Sequence, residues 1–376
     1  MRQRPVCSTL CAAVAAMLVI GWAETRAQVT TNPYRAIYGW EKLPRGRESL
    51  GVVAGIYTDP DKKHMWMLTR CAGNANACLA SKDDPVLKFD LDGNVVKSFG
   101  AGMFVWPHGF FVDHEGNVWV TEGAPAGEAR GAEGHKVGKG HQVFKFSPEG
   151  KVLMTLGEQG VPGDDQTHFN GPSHVFVAPT GEIWVTDGHR GGNNRLVKFD
   201  KNGKYLMQVG GGVKSATLER GLFNDPHHIA MDSQGRLFIS DRGNNRIQIF
   251  DQQGKLISVW TQFGRASSIA IDAQDRIYVV DSTSATPRPL ADETGGPSRT
   301  NSGNEGVNNP GYESGIRIGD ARTGWVTEFI PETTLTTREP RTRGVNMEFI
   351  GLDPQGNIYA GEVESQRLVK WVRVRK

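Results

Sequence analysis

The stretch FFVDHEGNVWVTE (110–122) decides the fold, because the chain repeats it as VFVAPTGEIWVTD (175–187), IAMDSQGRLFISD (229–241), IAIDAQDRIYVVD (269–281) and IGLDPQGNIYAGE (350–362). Each copy reads as an alternating apolar strand, a polar turn usually containing Gly, a second alternating strand and an acidic residue. A more divergent copy, IYTDPDKKHMWMLTR (56–70), precedes them and brings the number to six. Two further strands follow most copies, as in QVFKFSPEGKVLMTLG (142–157) and RLVKFDKNGKYLMQVG (195–210). Four strands per repeat, stacked radially, make a propeller blade, whereas a β-sandwich has no reason to repeat its sequence. The sequence therefore predicts an all-β, six-bladed β-propeller.

The last repeat ends on a single outer-type strand, RLVKWVRVR (367–375), and lacks its fourth. YRAIYGWEKLP (34–44), within a closing segment over 28–50, has the pattern of an outer strand. It is expected to complete the sixth blade and seal the ring, which removes an exposed edge.

Arg2 and Arg4 precede an apolar stretch from Val6 to Ala23 and a small-residue site at Thr25-Arg26-Ala27. This is the pattern of a signal peptide over 1–27, with an uncleaved anchor as the alternative. The expectation is an exported protein, periplasmic or secreted, with the propeller over 28–376 and no membrane contact after cleavage. A net charge of +2, with both signs interspersed, offers nothing to a nucleic acid or an anionic membrane. Cys71 and Cys78, in CAGNANAC, are expected to form a disulfide in an oxidising compartment, since no second Cys or His pair lies at zinc-finger spacing.

A propeller turns sequence register into geometry. Aligned on the first strand of each copy, the residues ringing the channel mouth are Ala54, His108, Ser173, His227, Ser267 and Glu348. Alternate blades lie about 120° apart around a six-bladed ring. His108, His227 and Glu348 then form a trigonal donor set of the His₂Glu kind that zinc favours with an open position; channel-mouth polarity alone explains any one of them. His174 and His228, one register on, are expected to point away from the axis or line the rim, His228 as a packed histidine or one supporting the ligands and His174 as a rim candidate able to supply a substitute ligand. A second ring is read as Arg70, Glu122, His189, Arg242, Asp281 and Glu362. Its arginines suit a carboxylate-bearing ligand, because a guanidinium fork binds one bidentately, although Arg242 could instead pair with Asp241. Two Gly/Pro/Ser-rich insertions, 123–141 and 282–315, leave from the same face and are expected to lack regular structure.

Repeats of this form are similar to NHL repeats. In WPHG (106–109), HQVFKF (141–146), PGDDQTHF (162–169), VTDGH (185–189), DPHH (225–228) and SDRGNNRIQ (240–248) the chain resembles the peptidyl-α-hydroxyglycine α-amidating lyases over roughly residues 50–376. That resemblance implies a zinc site with His108 and His227 as ligands, and Arg70 and Arg242 as active-site arginines. His189 falls at the position of the family's catalytic tyrosine. Glu348 stands where a third zinc histidine is expected, and Phe349 replaces an aspartate that serves a structural calcium. The implied substrate is a small, peptide-derived α-hydroxy compound bearing a carboxylate, split into an amide and glyoxylate. A non-catalytic propeller binding a ligand or protein, and a calcium-dependent lactonase, remain as other readings. The His-rich mouth weighs against the lactonase.

Overall fold

Six four-stranded antiparallel sheets follow one another in chain order in the computed structural model. It describes residues 32–71, 73, 77–123, 138–189, 191–212, 218–284, 309, 311–332 and 346–374. The signal-peptide segment and most of both insertions lie outside these residues. The innermost strands are Val53–Thr58, Pro107–Val112, Pro172–Val177, Pro226–Met231, Ala266–Ile271 and Met347–Leu352. Each packs against the next, and the last packs back on the first, so the ring is closed. Closure comes from Tyr34–Tyr38, which pairs antiparallel with Arg367–Arg373 to supply the missing fourth strand of blade six.

The repeated turn has a local cause. In blade two the Asp113 carboxylate accepts the backbone N–H of Glu115 at 3.0 Å and of Asn117 at 2.9 Å. Gly116, at φ 82°, takes the left-handed position the turn requires. The other oxygen of Asp113 accepts the Trp119 indole N–H at 2.9 Å, tying the turn to the second strand. Asp59 holds Trp66 in the same way, and Asp272 and Asp353 hold the hydroxyls of Tyr278 and Tyr359. Four of these aromatic residues, Trp66, Trp119, Tyr278 and Tyr359, are thereby locked into the inter-blade core, where Trp184 and Phe238 of the other two copies are also buried.

Every innermost strand carries a register shift near its start, as between Pro107 and Phe110 or Pro226 and Ile229. Such a bulge breaks the period-2 alternation and re-aims side chains, here toward the axis. Gly109 permits the close approach this needs. A Cβ there would lie 2.4 Å from the Ser173 carbonyl oxygen of the next blade. Cys71 and Cys78 form a disulfide that closes a seven-residue separation directly after Arg70, and a short helix, Ala77–Ala80, follows the loop.

Candidate metal and acid–base centre

His108, His189, His227 and Glu348 come from four different blades, yet their ligating atoms all lie within 4.8 Å of one another. The rings are close as well. His108 sits 4.4 Å from His189 and 4.8 Å from His227 between centroids. All four residues are buried.

Each imidazole is held by its Nδ1. His108 Nδ1 lies 2.8 Å from the Ser173 carbonyl oxygen and His227 Nδ1 lies 2.7 Å from that of Ser267. A carbonyl only accepts, so both Nδ1 atoms carry the proton and both Nε2 atoms present lone pairs. His189 Nδ1 donates instead to the Asp225 carboxylate at 2.7 Å. The three Nε2 atoms are buried and make no hydrogen bond. Glu348 Oε1 faces two of them, at 3.3 Å from His227 and 3.8 Å from His108. Imidazole lone pairs thus face a carboxylate oxygen, a repulsive arrangement that a shared cation relieves. Two or three imidazole nitrogens with a carboxylate oxygen are a donor set that fits zinc or a similar divalent ion.

Electrostatics keeps these groups in their binding forms. Burial above all lowers the His108 pKa to about 3, with Arg70 and His227 adding to it. Burial also drives His189 well below its usual value, and lowers His227 with help from Arg242. Burial opposes ionisation of Glu348, but the neighbouring Arg70 charge outweighs it and holds the carboxyl well below the normal range. Asp225 behaves likewise, its desolvation overcome by Arg242 and His189.

Both arginines expected at the mouth are here. Arg70 Nη1 donates to Glu348 Oε2 at 3.2 Å, and Arg242 Nη1 lies 3.5 Å from Glu348 Oε1. Arg242 also grips Asp225, through Nε at 3.0 Å and Nη2 at 2.7 Å. Trp106, from WPHG, stacks on His189 at 5.3 Å and lies under the Arg70 guanidinium at 5.0 Å.

The six residues expected in metal or catalytic roles thus meet at one point, and three other expectations change. His174 does not line the rim, and His228 is packed, as one reading of its position had it. Both are buried and stack on each other at 3.6 Å, with His174 Nε2 bonded to the Phe110 carbonyl oxygen at 3.1 Å. The bulges bring them inward, below the cluster, rather than outward as strict alternation would. Glu122 and Asp281 are not channel-mouth groups in the register of Arg70 and His189. With Glu362 they share the strand-end position of Asp187 and Asp241, each pairing with the first residue of its inner strand. There Glu122, Asp187, Asp241 and Asp281 accept backbone N–H groups from the segment before their own inner strand. Asp241 pairs with Arg246 at 2.6 Å and leaves Arg242 to Asp225.

Asp225 escaped the sequence reading. It precedes PHH at φ 55°, a conformation Asp tolerates better than most residues, and its backbone N–H is fixed by Asn194 Oδ1 at 2.9 Å. An acidic residue immediately before a pair of candidate histidines was the available signal.

The NHL repeat family matches residues 223–250, which include DPHH and Arg242. The chain carries an NHL repeat. It is 32% identical over 169 residues to peptidyl-alpha-hydroxyglycine alpha-amidating lyase 2 of Drosophila melanogaster, covering 44% of this chain and 36% of that one. It is 33% identical over 185 residues to NHL repeat-containing protein 3 of Homo sapiens, covering 46% and 48%. To peptidyl-glycine alpha-amidating monooxygenase of Mus musculus it is 35% identical over 179 residues, 46% of this chain but only 16% of that protein's length. The fold is shared with a gluconolactonase from Xanthomonas campestris at 13% identity, TM-score 0.52, over 86% of this chain and 88% of that one. The chain is thus a six-bladed propeller that carries an NHL repeat and resembles the amidating lyases, and it spans less than half the length of these curated relatives.

Proposed function

We propose that this propeller is a metal-dependent carbon–nitrogen lyase that splits a carbinolamide, N–CH(OH)–R, into an amide and an aldehyde. The observation that carries the reading is the convergence of His108, His189, His227 and Glu348, whose ligating atoms lie within 4.8 Å of one another while the three Nε2 atoms make no hydrogen bond. Its likeness to the Drosophila lyase supports the reaction class.

His108, His227 and Glu348 would hold the ion. A divalent cation there supplies a Lewis acid for an oxygen of the substrate. His189 is the base, and its Nε2 takes the hydroxyl proton. Asp225 fixes the tautomer by accepting from Nδ1, and its charge stabilises the imidazolium that forms, as an orienting aspartate does in a His–Asp pair. As the oxygen electrons become the C=O bond, the C–N pair leaves on nitrogen, and His189 returns the proton to that nitrogen. No oxidant or reductant is needed. Arg70 and Arg242 supply positive charge beside the reacting oxygen, and Trp106 packs His189 and Arg70 into register. We also propose that the protein is exported, which the signal-peptide pattern and the Cys71–Cys78 disulfide support.

The test is release of amide and aldehyde from α-hydroxyhippurate and from N-(hydroxymethyl)benzamide by the purified protein. Release that a chelator abolishes and zinc restores is expected. Cleavage of neither compound by folded protein carrying one zinc per chain would overturn the lyase reading and leave a ligand-binding propeller.

A further inference from the structure

Two arginines at a channel mouth ask for an anion, and the structure already provides it. Glu348 reaches in from blade six and divides its oxygens between them, Oε2 to Arg70 at 3.2 Å and Oε1 to Arg242 at 3.5 Å. The other side of Arg242 is taken by Asp225. Both guanidinium groups are therefore already matched by carboxylates of the protein, Arg70 by Glu348 and Arg242 by Glu348 and Asp225, before any substrate arrives. Glu348 is 7% exposed and Arg70 is 2% exposed. The pair therefore lies out of bulk solvent, where breaking it leaves a buried charge without its partner and is costly. A substrate carboxylate would have to displace Glu348 from the arginines or sit beside it as a like charge.

We propose that Glu348 fills the place of a substrate carboxylate, so that this site selects neutral carbinolamides, N-acyl hemiaminals of the form R–CO–NH–CH(OH)–R′ with R′ uncharged. Cleavage gives R–CO–NH₂ and the aldehyde R′–CHO. The C–N bond breaks with its electron pair on nitrogen, the O–H electrons form the carbonyl, and the hydroxyl proton ends on the amide. Glyoxylate is not the product. Glu348 is then the residue that sets specificity. This deepens, and rests on, the lyase reading above.

The experiment compares two substrates and one probe anion. The zinc-loaded protein is given N-(hydroxymethyl)benzamide and α-hydroxyhippurate, and hippurate binding is measured by calorimetry with and without zinc. Wild type is expected to cleave the neutral compound with a kcat/KM at least tenfold above that for α-hydroxyhippurate. Hippurate is expected to bind wild type at least tenfold more weakly than the Glu348→Ala variant. Glu348→Gln keeps the shape without the charge and serves where the Ala variant fails to fold. Preference for α-hydroxyhippurate, or hippurate binding as tight in wild type as in both variants, would overturn the proposal while leaving the lyase reading intact. If neither compound is cleaved the lyase reading falls, and the calorimetric arm still decides whether Glu348 excludes the anion.

Discussion

Replacing Asp225 by Asn isolates one link between geometry and rate. The change removes a charge and no volume, and Asn accepts the φ of 55° found at this position, so the backbone is undisturbed. What is lost is the partner of His189 Nδ1 at 2.7 Å. In the reaction His189 becomes an imidazolium whose charge centre lies about 4 Å from the carboxylate, worth about 4 kcal/mol at an effective dielectric of about 20. At about 1.4 kcal/mol per decade this predicts a roughly thousandfold fall in kcat, within the span usual for general acid–base catalysis. The amide can also donate to Nδ1, which moves the ring proton to Nε2 and removes the lone pair the base needs. The stability cost is smaller, about 1–2 kcal/mol for the lost charge-assisted bonds, because Asp225 and Arg242 are partly exposed and Glu348 remains beside Arg242. Steady-state kinetics on N-(hydroxymethyl)benzamide, with bound zinc measured on the same preparation and urea unfolding as a control, reads all three. Activity within threefold of wild type at full zinc occupancy would refute the role given to Asp225. Loss of the zinc itself would show that His189 is a ligand rather than the base.

Other expectations follow from the same geometry. His189→Gln should retain one zinc per chain while losing at least a hundredfold in kcat, whereas His108→Ala and His227→Ala should lose the metal, as elemental analysis after dialysis would show. Stability should fall on acidification. Burial first of all lowers the His174 pKa to about 3, so below the unfolded value of about 6.5 the unfolded chain binds the extra proton and the folded chain does not. This group alone removes on the order of 2 kcal/mol between pH 6.5 and 5, continuing to the folded value. Urea titrations of wild type and His174→Gln at the two pH values should differ by that amount, and parallel curves would refute it. Reduction, or Cys71→Ser with Cys78→Ser, should cost about 2–3 kcal/mol from the loop-closure entropy of a short ring. It should also lower activity because Arg70 adjoins the bridge.

The fold was legible because a propeller writes its architecture as repetition. The Asp–Gly turn and the aromatic residue recur with the blade, and the unpaired strand at 367–375 called for Tyr34–Tyr38. The ring of His108, His227 and Glu348 was legible for the same reason, since equivalent positions on radial blades must share an axis. Harder to read was anything that depends on a local break in the repeat. The bulges that turn His174 and His228 inward leave no mark in an alternating pattern. Asp225 lies in the connection before a strand, where the equivalent residues are Trp106, Gly171 and Asn346, so no other of these copies marks the position as acidic. The grouping of Glu122 and Asp281 with His189 failed because His189 stands two residues beyond the strand-end carboxylate Asp187, whereas Arg242 stands one beyond Asp241. Which carboxylate meets Arg70 and Arg242 is a matter of side-chain reach across the channel, and only coordinates settle it.

The central claim is that three blades, through His108, His227 and Glu348, converge on one divalent cation. Anomalous diffraction at the zinc edge from crystals of the zinc-loaded protein tests it most directly. The account predicts a single strong peak about 2 Å from both His108 Nε2 and His227 Nε2, with Glu348 Oε1 at similar range. A folded protein with no peak among these side chains, or zinc found only elsewhere on the ring, would contradict it.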